Sequence, residues 1–322
     1  FQGPTSGFLS QAGDPCNQYG VKVGPVVANC ASEGLPPTFN ATSSIRVFSE
    51  GGAAAGLEAE TSENLTYGLV IQPELGDAGD LSVAIDYFDI EINNGVDQPG
   101  GLTLANACYS DPDFRGGGGV CRFVTRNPAT NGLTVSNVYT NIATQLAEGV
   151  DYTIRYEREL GPGSFRVTTE ATRYITQAKK LFEEDELDQL NGTIENPKWG
   201  ATMELAYYLG SNWQFRWGTD FVDGMDSYAF LEEDPATSIY DFATDDYMTH
   251  WMSVRYLTDK WQVTGGLRNI FDEEPETISQ GFYFRNGNAP LYSGYDYFGR
   301  QAFEQLAIKF CGLRWCRGSA SA

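Results

Sequence analysis

Six cysteines are the first residues whose spacing could do chemistry. They fall as Cys16 with Cys30, Cys108 with Cys121, and Cys311 with Cys316, and the first two couples are set among Gly, Pro, Asn and Asp. Such couples can oxidise to loop disulfides or, as thiolates, ligate zinc. Zinc needs partners that do not stand nearby: no couple has CxxC spacing, and the only histidine, His250, lies far from every cysteine in sequence. Loop disulfides in an oxidising compartment are therefore expected for Cys16–Cys30 and Cys108–Cys121, with buried free thiols as the alternative.

A nucleophile would have to use His250 as its base. That residue stands in the strand-like segment 247–256, where a histidine at a lumen or lipid boundary is the plainer reading. No catalytic residue is assigned, and no enzyme is expected. Acidic runs at 183–186, 232–234 and 245–246 could offer oxygen ligands to a hard cation. None has the alternating spacing of a calcium loop, so they read as solvated loop charge, and no metal or cofactor is expected. Residues 116–119, four glycines, lack the Lys-Ser/Thr and the helix of a phosphate loop and read as a flexible link between the paired cysteines. With 21 Lys and Arg against 43 Asp and Glu, the net charge is -22. That balance repels nucleic-acid phosphates, so no nucleic-acid partner is expected.

The elements that must carry these residues are strands. Apolar and polar residues alternate with period two from Leu57 to Phe310, while helical periodicity is scarce. In 199–209, Trp199, Ala201, Met203, Leu205, Tyr207 and Leu209 share one face, and Gly200, Thr202, Glu204, Ala206 and Tyr208 the other. The next segment sets Trp213, Phe215, Trp217 and Phe221 against Gln214, Arg216, Gly218 and Asp220, after a turn at 210–212. Charges on the mixed faces, among them Arg155, Glu157, Arg166, Glu170, Glu204, Arg216, Asp220 and Arg268, suit a wet or plugged lumen and would be costly in a dry core. Short connections near 73–80, 161–164, 210–212 and 258–260 alternate with long ones at 94–132, 181–197, 224–246 and 272–295. Turns on one side and long loops on the other are the layout of an outer-membrane barrel. A soluble β-sandwich also alternates, but its strands are shorter and its loops are not one-sided. No run approaches the roughly 20 apolar residues of a membrane helix, so any spanning must use strands.

Particular strings then carry a resemblance. Residues 60–73, followed by Asp86-Tyr-Phe-Asp-Ile-Glu-Ile92, resemble the mid-barrel strand pair of TonB-dependent receptors, as does Gly149-Val-Asp-Tyr-Thr-Ile-Arg-Tyr156. Gly266-Leu-Arg-Asn-Ile-Phe-Asp272 and Tyr297-Phe-Gly-Arg300 resemble that family's penultimate-strand signature and its entry to the final strand, and Phe310 the closing aromatic read by the barrel-assembly machinery. The tail 311–322 departs from the pattern, because family members end at or just after that aromatic.

The resemblance implies an all-β, antiparallel up-and-down transmembrane β-barrel. Alternation supports about nine crossings, whereas plugged transporters have about 22, so the expected form is an open partial barrel without its N-terminal plug. Residues 1–56 then read as an extracellular loop region holding Cys16 and Cys30, 57–310 as C-terminal barrel strands, and 311–322 as an atypical tail. Phe1-Gln2-Gly3-Pro4 has no signal-like region, so a signal has been removed or the chain begins mid-protein.

The implied function is TonB-dependent active uptake of a scarce solute, an iron-siderophore, a glycan or similar, in the bacterial outer membrane. The implied partners are outer-membrane lipid, the TonB complex through the missing N-terminal part, and a small solute. Ligand capture should use loop aromatics at the outer mouth: Tyr228, Phe230, Tyr240, Phe242, Tyr283, Phe284 and Tyr292. The competing readings are a passive porin or adhesion barrel, and a soluble secreted glycan-binding β-protein.

Overall fold

The computed structural model describes residues 5–9, 13–50, 57–116, 119–181, 186–279, 285–292 and 294–309. In chain order its elements begin with β1 (Thr5–Leu9), α1 (Pro25–Ser32), β2 (Ile45–Glu50), β3 (Thr61–Ile71), β4 (Asp80–Asp97), α2 (Gly101–Ser110), β5 (Val124–Arg126) and β6 (Leu133–Val138). There follow β7 (Thr140–Leu160), β8 (Gly163–Lys180), β9 (Asp188–Gln189), β10 (Trp199–Leu209), β11 (Trp213–Val222), β12 (Met225–Asp226) and β13 (Ala243–Thr244). The last are β14 (Tyr247–Leu257), β15 (Trp261–Arg268), β16 (Arg285–Asn286), β17 (Ala289–Pro290) and β18 (Gln301–Ile308). The described residues fall into two compact units, one drawn from 1–62, 92–145 and 180–186, the other from 63–91, 146–179 and 187–322.

The second unit carries a large sheet in which nine strands follow one another in the order β3-β4-β7-β8-β10-β11-β14-β15-β18, with the short β9 on β8. Each strand pairs with its neighbour in the chain, and β3 and β18 stand at opposite ends of the path, not bonded to each other. This is the open partial barrel of about nine strands that the alternation implies.

Register converts alternation into two faces. Val167, Leu205, Trp217, Met252 and Leu267 face one way in successive partner positions, while Arg166, Ala206, Arg216, Ser253 and Gly266 face the other. On the first face Leu65, Tyr67, Leu69, Trp213, Phe215, Val254 and Leu306 are exposed. Taking such a side chain fully out of water is worth about 1.5–3 kcal/mol. A sheet that leaves row after row of them uncovered is built to lie against hydrocarbon, with the backbone groups of the strands between β3 and β18 satisfied by pairing on both sides.

The short connections use glycine where the chain must reverse. Gly161 and Gly210 sit at φ 61° and 57°, a left-handed conformation that favours residues without a Cβ. Asn212 ties its turn to the next hairpin by donating its side-chain amide to the Leu257 carbonyl at 2.7 Å. Trp213, Tyr256 and Trp261 gather at this end, with ring centroids 4.6 and 5.5 Å apart, as in an interfacial aromatic girdle.

The first unit has its own core, in which Ile45, Leu104, Tyr109, Val124, Leu133 and Val135 are buried. Its sheet runs β1-β2-β6-β5, with β2 and β6 parallel, and the two helices lie in stretches read from sequence as loop. Pro25 at the first turn starts α1, and each helix contributes a disulfide cysteine: Cys30 bonded to Cys16, and Cys108 bonded to Cys121. At the centre lies Arg126, buried with Asp14. Its guanidinium grips both Asp14 carboxylate oxygens at 2.8 Å and also reaches Glu33 at 2.8 Å and the Tyr109 hydroxyl at 2.9 Å. Burial pushes the Tyr109 hydroxyl well above the ordinary range, and the carboxylate partners hold Arg126 above its own despite the cost of burying it. Cys311 and Cys316, and Phe310 with them, lie outside the described residues.

Candidate functional site

The polar face of the large sheet forms the candidate site. Asp86, Asp151, Glu170, Thr202, Asp220 and Thr249, one each from β4, β7, β8, β10, β11 and β14, line a single groove of about 930 Å³. Lining drawn from six successive strands requires the sheet to curl with this face inward. Tyr292, Tyr295 and Asp296 close one side of the groove.

A second groove shares Asp220, Thr249, Tyr295 and Asp296 but has a different character, because Arg216, Arg255 and Arg268 enter it beside Trp251 and Phe303. The Arg216 guanidinium lies 5.5 Å from the Trp251 ring and Arg268 lies 5.4 Å from Phe303. Gly218 makes room for the Trp251 indole, since a Cβ there would come within 2.0 Å of the ring. A third groove near the short turns holds Arg155, Glu157 and Arg166. Arg166 pairs with Glu157 at 2.8 Å, and Arg216 pairs with Glu204. The inner wall is thus acid-rich toward β4 to β10 and arginine-rich toward β14 and β15. Such a surface suits water, polar solutes or a polar protein filling, and not a dry core.

The loop aromatics separate into distinct surroundings. Tyr228, Tyr240 and Phe242 cluster, with Phe242 fully buried, Tyr240 stacked on it at 5.7 Å, and the Tyr228 hydroxyl donating to the Tyr240 carbonyl at 2.8 Å. Phe230 is exposed in the same loop. Tyr292 belongs elsewhere, packed 5.5 Å from Tyr295 against a small core of Ile194, Val222, Met225, Tyr247 and Ile278. Tyr283 and Phe284 lie outside the described residues.

His250 shares the lipid-side face with Trp217, bonded to the Thr219 hydroxyl at 2.9 Å. In the loops, desolvation raises the Glu195 carboxyl above its usual range, and burial followed by the Asp246 charge raises Asp223. No group of three or more His, Cys, Asp or Glu placed to hold a metal occurs among the described residues. Arg255, Trp251 and Phe303 were not singled out from sequence, although their position in the alternation would have placed them on the lumen side.

A family model described as "TonB dependent receptor-like, beta-barrel" matches residues 31–270. The chain belongs to this family. TonB-dependent receptors are outer-membrane receptors and not an enzyme class. Among solved structures, the ferric enterobactin receptor of Pseudomonas aeruginosa is similar with a TM-score of 0.53 at 15% identity, over 84% of this chain and 33% of that one. A variant of that receptor in complex with enterobactin gives 0.52 at 15% identity, over 84% and 34%. At such identity the likeness is one of fold, and the chain spans about a third of the length of those receptors. No curated protein matches the chain in sequence.

Proposed function

We propose that this TonB-dependent receptor barrel works in the outer membrane as part of a protein that captures a scarce solute outside the cell and passes it inward with TonB-derived energy. The observation that carries the reading is the pairing of an exposed apolar face with a curled inner face lined by Asp, Glu, Arg and Thr. A passive pore in the same membrane would show both faces too, and it is family membership that favours the gated, energised form.

A ferric siderophore is the first solute to test. The similar structures include a ferric enterobactin receptor, and the Arg216, Arg255, Arg268, Trp251 and Phe303 groove combines cations with aromatic faces suited to an anionic, ring-bearing chelate. The solute's first contacts are assigned to Tyr228, Phe230 and Tyr240 of one loop and to Tyr292, Tyr283 and Phe284 of another stretch of the chain; Phe242 supports Tyr228 and Tyr240 by ring packing. The partners are lipid around the apolar face, the TonB complex and the solute.

The test is uptake of radiolabelled ferric enterobactin by iron-starved cells carrying the full-length gene, compared with cells lacking it and with cells whose proton-motive force is collapsed. Gene-dependent, energy-dependent accumulation is expected. Uptake that persists without energy points to a passive pore and overturns the proposal, and gene-independent uptake excludes this solute.

A further inference from the structure

We propose that Arg173 holds an anionic lipid headgroup at the long-loop boundary of the membrane, in a slot made by Tyr152 and Trp199. Arg173 stands opposite Trp199 in register, on the same face of β8 that carries Val167. Its guanidinium lies 5.5 Å from the Trp199 ring, and the Tyr152 and Trp199 rings approach to 5.9 Å from the strands on either side of β8. Over the paired stretch 163–173 of β8 and along β10, β11 and β14, Arg173 is the one formal charge on the apolar face, the remaining positions being glycine, apolar, aromatic or hydroxyl, with the single imidazole of His250; Lys179 lies beyond that stretch, toward the long loops.

The side chain is exposed, and no ion pair or hydrogen bond of its guanidinium occurs among the described residues. Glu148, the acid further along β7, has its oxygens engaged by the Tyr87 and Thr176 hydroxyls. A planar group with five donors, set beside rigid rings and left without an acceptor, is suited to a phosphate brought by the surrounding solvent, which on this face is lipid.

Geometry places the slot at headgroup depth. From Trp199 to Leu209, β10 advances about 33 Å along its axis, or about 25 Å along the membrane normal at a tilt of about 40°, which is the height of the apolar band of such barrels. With Leu209 and the Trp213 cluster at the short-turn boundary, Trp199 and Arg173 reach the opposite one. There an arginine costs little, whereas at mid-depth it would be strongly disfavoured.

The inference rests on the outer-membrane reading, and its test separates the two. The full chain, purified in detergent, is titrated with phosphatidylglycerol and, separately, with phosphatidylcholine, and the bound lipid is counted by native mass spectrometry. Phosphatidylglycerol is expected to bind more tightly to the wild type, and Arg173→Gln to lose about fivefold, the weight of one cation at an anionic surface, with Arg173→Lys retaining part of the preference. The inference is overturned by equal phosphatidylglycerol binding in wild type and Arg173→Gln. It is overturned equally by full displacement of the lipid with millimolar inorganic phosphate, which would mark a plain anion site. Failure of the chain to take up any lipid or detergent would instead sink the membrane reading itself.

Discussion

Replacing Arg126 with alanine should open the first unit while leaving the large sheet intact. The guanidinium and the Asp14 carboxylate are each about 3% exposed, and the guanidinium also engages Glu33, Tyr109 and the Asn131 carbonyl. Removing it strands a buried carboxylate, which typically costs about 3–5 kcal/mol, whereas the intact pair adds little over a well-packed apolar substitute. Expressed as hydrogen exchange, that range is a loss of about two to three and a half decades of protection. The loss should fall on the amides of α2 and β6, with amides of β10 and β11 unchanged. Arg126→Met combined with Asp14→Leu should recover most of the protection, because no charge is then left unpaired. Wild-type exchange in the single variant, or a double variant worse than the single, would refute the assignment of this network as the unit's keystone.

Reduction of Cys16–Cys30 or Cys108–Cys121, which close loops of sequence separation 14 and 13, should each lower the first unit's stability by about 3 kcal/mol, read by urea titration of protease resistance. Leu205→Arg, on the apolar face at mid-strand, should destabilise the sheet by about 2–4 kcal/mol in lipid vesicles, while Thr202→Arg on the groove side should be tolerated; equal effects would refute the assignment of the faces, and the reverse order would invert it. Glu195 and Asp223 have folded pKa values raised above their unfolded ones. Their contribution is therefore fully present below the unfolded carboxylate pKa and is lost as pH rises through the raised folded value. Intrinsic-rate-corrected exchange in 187–197 should be slowest in mild acid and should quicken toward neutrality, and Glu195→Gln should flatten that dependence. External protease on whole cells should cut the loop at exposed Ile239 and spare the turn at 210–212, and the reverse pattern would turn the topology over.

The strands were legible because their information is local. Period-two patterning in 199–209 and 213–222 suffices to name both faces, and glycine-bearing reversals mark the short ends. What was not legible depends on distance along the chain. Arg126 finds Asp14 across 112 residues and Glu33 across 93, and no periodicity signals such a meeting. The helices α1 and α2 are short, and disulfides and a shared core hold them in place of strong amphipathic repeats, so the stretches containing them read as loop. The loop aromatics were visible as residues, but whether each faces solvent or packs inward, as Phe242 does, is decided by tertiary contacts.

The alternation of tight reversals with long excursions has an evolutionary consequence. Closing a flexible loop costs only about 0.6 kcal/mol more for each doubling of its length. The 98–139 excursion between β4 and β7, moreover, contributes to a core of its own and carries one of the two disulfides. Sequence in such long connections can therefore lengthen, shorten or be exchanged with little penalty to the pairing of the strands they join. The two-to-three-residue reversals opposite have no such latitude, since their geometry sets the register of both flanking strands. Variation can therefore accumulate in the long excursions while the tight reversals and the apolar strand faces stay under constraint.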